Sequence, residues 1–121
     1  MDWSGALKTL GSAEEIEIET RRAADAPVHH TTVWPVVEEE EVYVRSLRGD
    51  SGRWYQDISA NPDVVVHLDD EEIPVRAFLA PDAQSVERAS DGLRSQYTDS
   101  PHLDSMLRDE ILHTTVRLEP R

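Results

Sequence analysis

"YVRSLRGDSGRWYQDISANPDVVVHL", residues 43–68, is the stretch on which the fold turns. It opens on β-branched and aromatic residues, the composition of a strand. It then passes glycines at 49 and 52, enters a short aromatic-led helix at Arg53-Trp54-Tyr55, and stops at Ala60-Asn61-Pro62. Proline disfavours helix in the residue before it, so the helix ends there. Val64-Val65-Val66 open a second strand. The segment therefore reads as the corner of a β-rich domain. Its Arg48-Gly49-Asp50 matches an adhesion tripeptide, but so short a motif recurs by chance and nothing nearby indicates export or a long exposed loop.

Outward from this corner the strand signals multiply. "EEIEIETRR" (14–22) alternates Ile16 and Ile18 with glutamates, which predicts a strand with one wet face. Residues 30–38 and 41–47 are β-branched and aromatic and meet at an all-glutamate corner; Pro35 in the first argues for an edge position or a bulge. Residues 63–68 and 73–80 repeat the scheme around "DDEE", and 113–120 reads as a closing strand. Links this short make the two central pairs antiparallel hairpins. Helices are expected over 2–10, over 53–59, from Asp82 as N-cap through Val86, Ala89, Leu93 and Tyr97, and around 102–111. The reading is mainly β: one domain spanning 1–121, about six antiparallel strands in a closed or split barrel with peripheral helices. An open α+β sandwich is the alternative.

Composition bounds the function. The 121 residues carry a formal net charge of −13 and no cysteine. That excludes disulfides and Cys-ligated metal sites, and disfavours nucleic-acid or anionic-membrane partners. The basic residues are eleven arginines and a single lysine, Lys8, a balance that looks like a protein from a salt-loaded cytoplasm. No apolar run reaches membrane-spanning length and "MDWSGALKTLG" lacks the basic start of a signal peptide, so a cytoplasmic protein is expected. His29 and His30, adjacent on a strand, point to opposite faces and cannot easily share one ion. The other histidines show no ligand spacing, and no metal is expected. The acidic clusters lack the calcium-loop pattern and read as solvated turns.

In this acidic chain, residues 45–53 concentrate Arg45, Arg48 and Arg53, the hydroxyls of Ser46 and Ser51, two glycines and a helix start. Forked donors, point charges and backbone amides are what a phosphate needs. Arg21 and Arg22, at another strand end, would add to such a pocket, or else face acidic neighbours. Asp50 would oppose an anion unless it turns to solvent.

The same segment, with Gly49, Trp54-Tyr55, Ala60-Asn61-Pro62 and Val64-Val65-Val66, resembles the split-barrel flavoprotein superfamily of pyridoxamine-phosphate-oxidase-like proteins and deazaflavin-dependent nitroreductases. The "IEIETRR" opening and the tail through "HTTVRLEPR" look closer still to a small uncharacterised branch of it. The resemblance implies an FMN-binding-like, six-stranded antiparallel split β-barrel, usually a homodimer, with FMN or a deazaflavin nucleotide at the subunit interface. Carried over by position, it nominates Arg21, Arg45, Ser46, Arg48 and Ser51 for the cofactor phosphate, with Trp54 nearby and His30 and Thr32 on the cofactor face. Only Arg21-Arg22 stands where the nitroreductases carry a Gly-Arg-Lys-Ser-Gly-like loop. The implied function is an oxidoreductase acting on a small molecule; the alternatives are a non-catalytic cofactor or anion binder, and a cofactor-free structural or stress protein on the same barrel.

Overall fold

The structure is a computed structural model that describes residues 2–121. Helix α1 (Trp3–Ser12) leads into β1 (Ile16–Thr20), β2 (His29–Val33), β3 (Val36–Glu38) and β4 (Glu41–Arg45). A 3-10 turn at Gly49–Ser51 precedes α2 (Arg53–Ala60), then come β5 (Asp63–Leu68), β6 (Glu71–Leu79), α3 (Ala83–Gln96) and α4 (Leu103–Met106). A second 3-10 segment, Asp109–Thr114, feeds the closing strand β7 (Thr115–Pro120).

The seven strands form one antiparallel sheet in the order β2-β1-β5-β6-β7-β4-β3. The expected single strand over 30–38 is therefore two strands, and the count rises from six to seven. Pro35 offers no N–H to a ladder and, with Trp34, interrupts the run. The broken halves lie on opposite edges of the sheet yet are joined by only these two residues, so the sheet must curl to bring those edges near each other, without β2 pairing to β3. The result is a split barrel. Tyr97 pins the break: its ring stacks on Trp34 with centroids 4.2 Å apart, and its hydroxyl lies 2.9 Å from the Pro35 carbonyl. Burial raises the pKa of this phenol, so it stays a donor.

The alternation read from the sequence sets the two cores. Ile16, Ile18, Val42, Val44, Val64, Val66, Val75, Val116 and Leu118 point inside the barrel, and α1 and α2 close it with Leu10, Trp54 and Ile58. Each fully buried aliphatic side chain contributes roughly 1.5–3 kcal/mol. Opposite-parity residues of β3 and β4, Val36 and Tyr43, pack beneath Ala89, Leu93 and Tyr97 at the α3 end. Both glutamate- and aspartate-rich corners are two-residue hairpins, with Glu38 paired to Glu41 and Leu68 to Glu71. The expected helix around 102–111 is only one α-helical turn followed by the 3-10 segment.

Candidate functional site

Strand parity decides what Arg45 does. Val42 and Val44 face the barrel, so Arg45 follows Tyr43 to the α3 side, where it is 3% exposed. Its Nε donates to Thr115 Oγ1 (3.0 Å), Nη1 to the Met106 carbonyl (3.0 Å), and Nη2 to the Val86 carbonyl (3.2 Å) and Ser90 Oγ (3.1 Å). Desolvation, and secondarily the charge of Arg94, lower its pKa to about 10, which leaves it charged at neutral pH. Arg45 therefore ties β4 to β7, α3 and α4. Thr114 supports the same corner, its hydroxyl accepting the Ser46 N–H at 3.1 Å.

The turn beyond β4 is built by small residues. Gly49 has φ +62°, and a Cβ there would lie 3.3 Å from Ile111. The Ser46 hydroxyl donates to the Gly49 carbonyl at 2.8 Å, and a Cβ on Gly52 would come within 2.3 Å of that hydroxyl oxygen. Gly52 is the N-cap of α2 and supplies no side-chain acceptor, unlike Asp2 before α1 and Asp82 before α3. Asp50 turns away to His113, whose Nε2 lies 2.6 Å from its carboxylate.

A cleft of about 940 Å³ opens between β2, this turn and α4, a size usual for small-molecule sites. Arg45, Ser46, Arg48, Ser51, Trp54, His30 and Thr32 all stand on its wall. Arg21 does not. Its guanidinium lies 3.5 Å from Glu19 and donates to the Ala24 carbonyl, while Arg22 lies 3.6 Å from Asp57. The basic pair at the end of β1 thus faces acidic neighbours. Trp54 is largely buried in the barrel core, edge-on to Tyr55.

Among the described residues, the arginines sort cleanly. Arg21, Arg22, Arg76, Arg88, Arg94, Arg117 and Arg121 lie within ion-pair distance of carboxylates. Arg45 is saturated by neutral acceptors, and Arg108 donates to the Leu47 and Ser105 carbonyls. Arg48 and Arg53 alone have no partner, both are exposed, and both line the cleft beside the uncapped start of α2. In so acidic a protein, two unpaired guanidinium groups at one cleft make an anion-receptive corner.

Sequence reasoning missed one pair whose histidine stands on the same wall. His29, not His30, has a buried partner: Nδ1 lies 2.7 Å from Asp57 Oδ2, which also accepts from the Thr20 hydroxyl at 2.8 Å. Asp57 is fully buried, and its Oδ1 makes no hydrogen bond. The contact through Nδ1 fixes the orientation of the ring, and no hydrogen bond in the chain uses its Nε2 among the described residues. No motif announces this pair, since its members are 28 positions apart. The apolar spacing of α2 does carry a faint signal, because Asp57 sits beside Ile58 on the helix's buried side.

The fold is that of the split-barrel superfamily suggested by the 43–68 segment. Structures sharing it include a putative pyridoxamine 5'-phosphate oxidase from Listeria innocua (TM-score 0.65, 17% identity, 98% of this chain and 91% of that one). HutZ, the heme storage protein from Vibrio cholerae, superimposes with TM-score 0.67 at 13% identity over 100% of this chain and 92% of its own. An F420-H2 dependent reductase, FDR-A, does so with TM-score 0.64 at 17% identity over 88% and 94%. The chain itself belongs to the family described as "Uncharacterized protein conserved in bacteria (DUF2255)", whose profile matches residues 6–118. No curated protein matches the sequence. Among the described residues, no helix is long and apolar enough to cross a membrane.

Proposed function

We propose that this chain binds a phosphate-bearing, flavin-type nucleotide, FMN or a deazaflavin, in the cleft between β2 and the 45–54 corner, and serves as an oxidoreductase for a small molecule. The observation that carries the reading is the pair of unpaired arginines, Arg48 and Arg53, at one cleft of a strongly acidic chain. The residues present fit such a group. Arg48 and Arg53 supply charge-assisted donors to a phosphate, and the first amides of α2 add fixed donors and a partial positive charge. Trp34 and Thr32 offer a wall for a planar ring. When bound, the ring supplies the hydride chemistry. The protein's part is to hold the phosphate, orient the ring, and offer His29 as a fixed proton donor or acceptor at the wall. A homodimer would cover the open side of the cleft, and a cytoplasmic site of action suits the composition.

Similar folds attached to F420 and to heme argue that the barrel alone does not choose the ligand; the anion corner does. The test is an absorption spectrum of the protein purified from its own cells, followed by titration with FMN, F420 and hemin at matched salt. Micromolar binding of FMN or F420 that Arg48→Ala and Arg53→Ala both weaken supports the reading. Binding of hemin alone, or of nothing, overturns it. Turnover with NAD(P)H or the reduced deazaflavin then separates an enzyme from a carrier.

A further inference from the structure

A second cluster of chemistry-bearing residues lies away from the arginine corner, on the outer face of the sheet. Strand β1 runs between β2 and β5. Ile16 and Ile18 face inward, so Glu17 and Glu19 face outward. The register sets His30 of β2 opposite Glu19, and His67 of β5 opposite Glu17. Two carboxylates on the central strand are thereby flanked by an imidazole on each side. The contacts run diagonally: His30 Nδ1 lies 3.0 Å from Glu17 and His67 Nε2 3.1 Å from Glu19, with the imidazole centroids 5.6 Å apart.

One oxygen of Glu17 and one ring nitrogen each of His30 and His67 all lie within 4.8 Å of one another. Ligand atoms around a tetrahedral zinc ion sit ~3.4 Å apart, so sub-ångström to ångström rotamer adjustments would close them on one ion. A second set, Glu19, His67 and Glu72, meets the same limit around the shared histidine. An adjacent surface depression of about 430 Å³, lined by Glu17, Thr32 and His67 among others, leaves room for the water that would complete the coordination. The donor types select the ion. Calcium and magnesium want oxygen ligands, whereas imidazole with carboxylate suits the zinc, nickel and copper group.

We propose that Glu17, His30 and His67 form a binding site for a divalent transition metal of the zinc–nickel class, with Glu19 supporting it. The site staples the edge strand β2 to β1 and β5. The plain alternative is two hydrogen-bonded Glu–His pairs that hold no ion. His30 also stands on the wall of the cleft, so the metal titration is made on protein free of any cofactor; the metal set itself requires none.

Isothermal titration of the chelator-stripped full chain with zinc and nickel, and with calcium and magnesium as controls, decides between them. The expected result is one zinc per chain, a rise in melting temperature with zinc, and no response to calcium or magnesium. His30→Ala and His67→Ala should each weaken zinc binding at least about tenfold, the least that removing even a supporting partner of a metal site costs. His113→Ala, which removes the histidine paired with Asp50, should leave it unchanged. Matching circular dichroism of the metal-free variants establishes that they fold; if an alanine variant does not, His30→Gln or His67→Gln takes its place. No zinc binding, binding undiminished by the His30 and His67 variants, or an equal response to calcium would each overturn the proposal.

Discussion

Arg45 and Arg48 sit three positions apart and do opposite work. Arg45 has exchanged water for four protein acceptors, so its removal would strand buried carbonyl and hydroxyl groups. A lysine cannot reproduce the forked geometry. Arg45→Lys should therefore lower stability by about 1–3 kcal/mol; an unchanged urea midpoint would contradict the structural role. Arg48 keeps its solvent and its donors. Arg48→Ala should leave the urea midpoint within about 0.5 kcal/mol of the parent while weakening FMN or F420 binding by about 1.5–3 kcal/mol. An unchanged dissociation constant rejects Arg48 as a phosphate contact. Asp50, the carboxylate that would oppose an anion, lies 2.6 Å from His113 and off the cleft wall.

At the scale of elements, the two acidic hairpin corners carry backbone strain. Glu39, Glu40, Asp69 and Asp70 all have φ between 49° and 67°, a region that costs an L-residue about 1 kcal/mol or more and that Gly occupies freely. Such pairs of positive φ values define the turn type in which Asn-Gly is preferred. Asp70→Gly should raise the thermal midpoint. Asp70→Ala removes the same charge without relieving the backbone, and should be less stable than Asp70→Gly by about 1 kcal/mol. Equal midpoints for the two would show that charge, not φ, sets the cost. Helix α3 shows the converse: a Cβ on Gly92 would fall 2.1 Å from Val36 Cγ1, so the glycine is what lets α3 sit against β3 beside the Trp34-Pro35 break.

Across the whole molecule, the most one-sided surface property is charge. A net charge of −13 on 121 residues makes the folded chain repel itself. Salt shortens the reach of that repulsion from about 30 Å at 0.01 M to about 3 Å at 1 M. Potassium chloride should accordingly raise the melting temperature steadily across this range, measured by calorimetry at neutral pH. A flat or falling response would mean that the surface ion pairs, such as Arg88 with Glu39 at 2.9 Å, outweigh the excess acid. The same titration bears on whether the acidic composition is suited to a salt-loaded cell.

Much of this architecture was legible in the chain. Alternation in "EEIEIETRR", the two acidic corners and the strand–glycine–helix–proline order of 43–68 act over a few neighbouring residues, and local sterics and burial decide them. The candidates within 45–54 come to one cleft because the segment is contiguous, although parity sends the Arg45 side chain into the protein and leaves Arg48 exposed. What the sequence left open depended on partners distant along the chain. Only the curled sheet shows that Arg45 is spent inside and Arg21 outside the cleft. Only it pairs His29 with Asp57, sets His30 and His67 around Glu17, and splits 30–38 between opposite edges. Strand register and desolvation decide those points: a side chain's partner is whatever the neighbouring strand places opposite it, and its free charge is what remains after burial has claimed its donors.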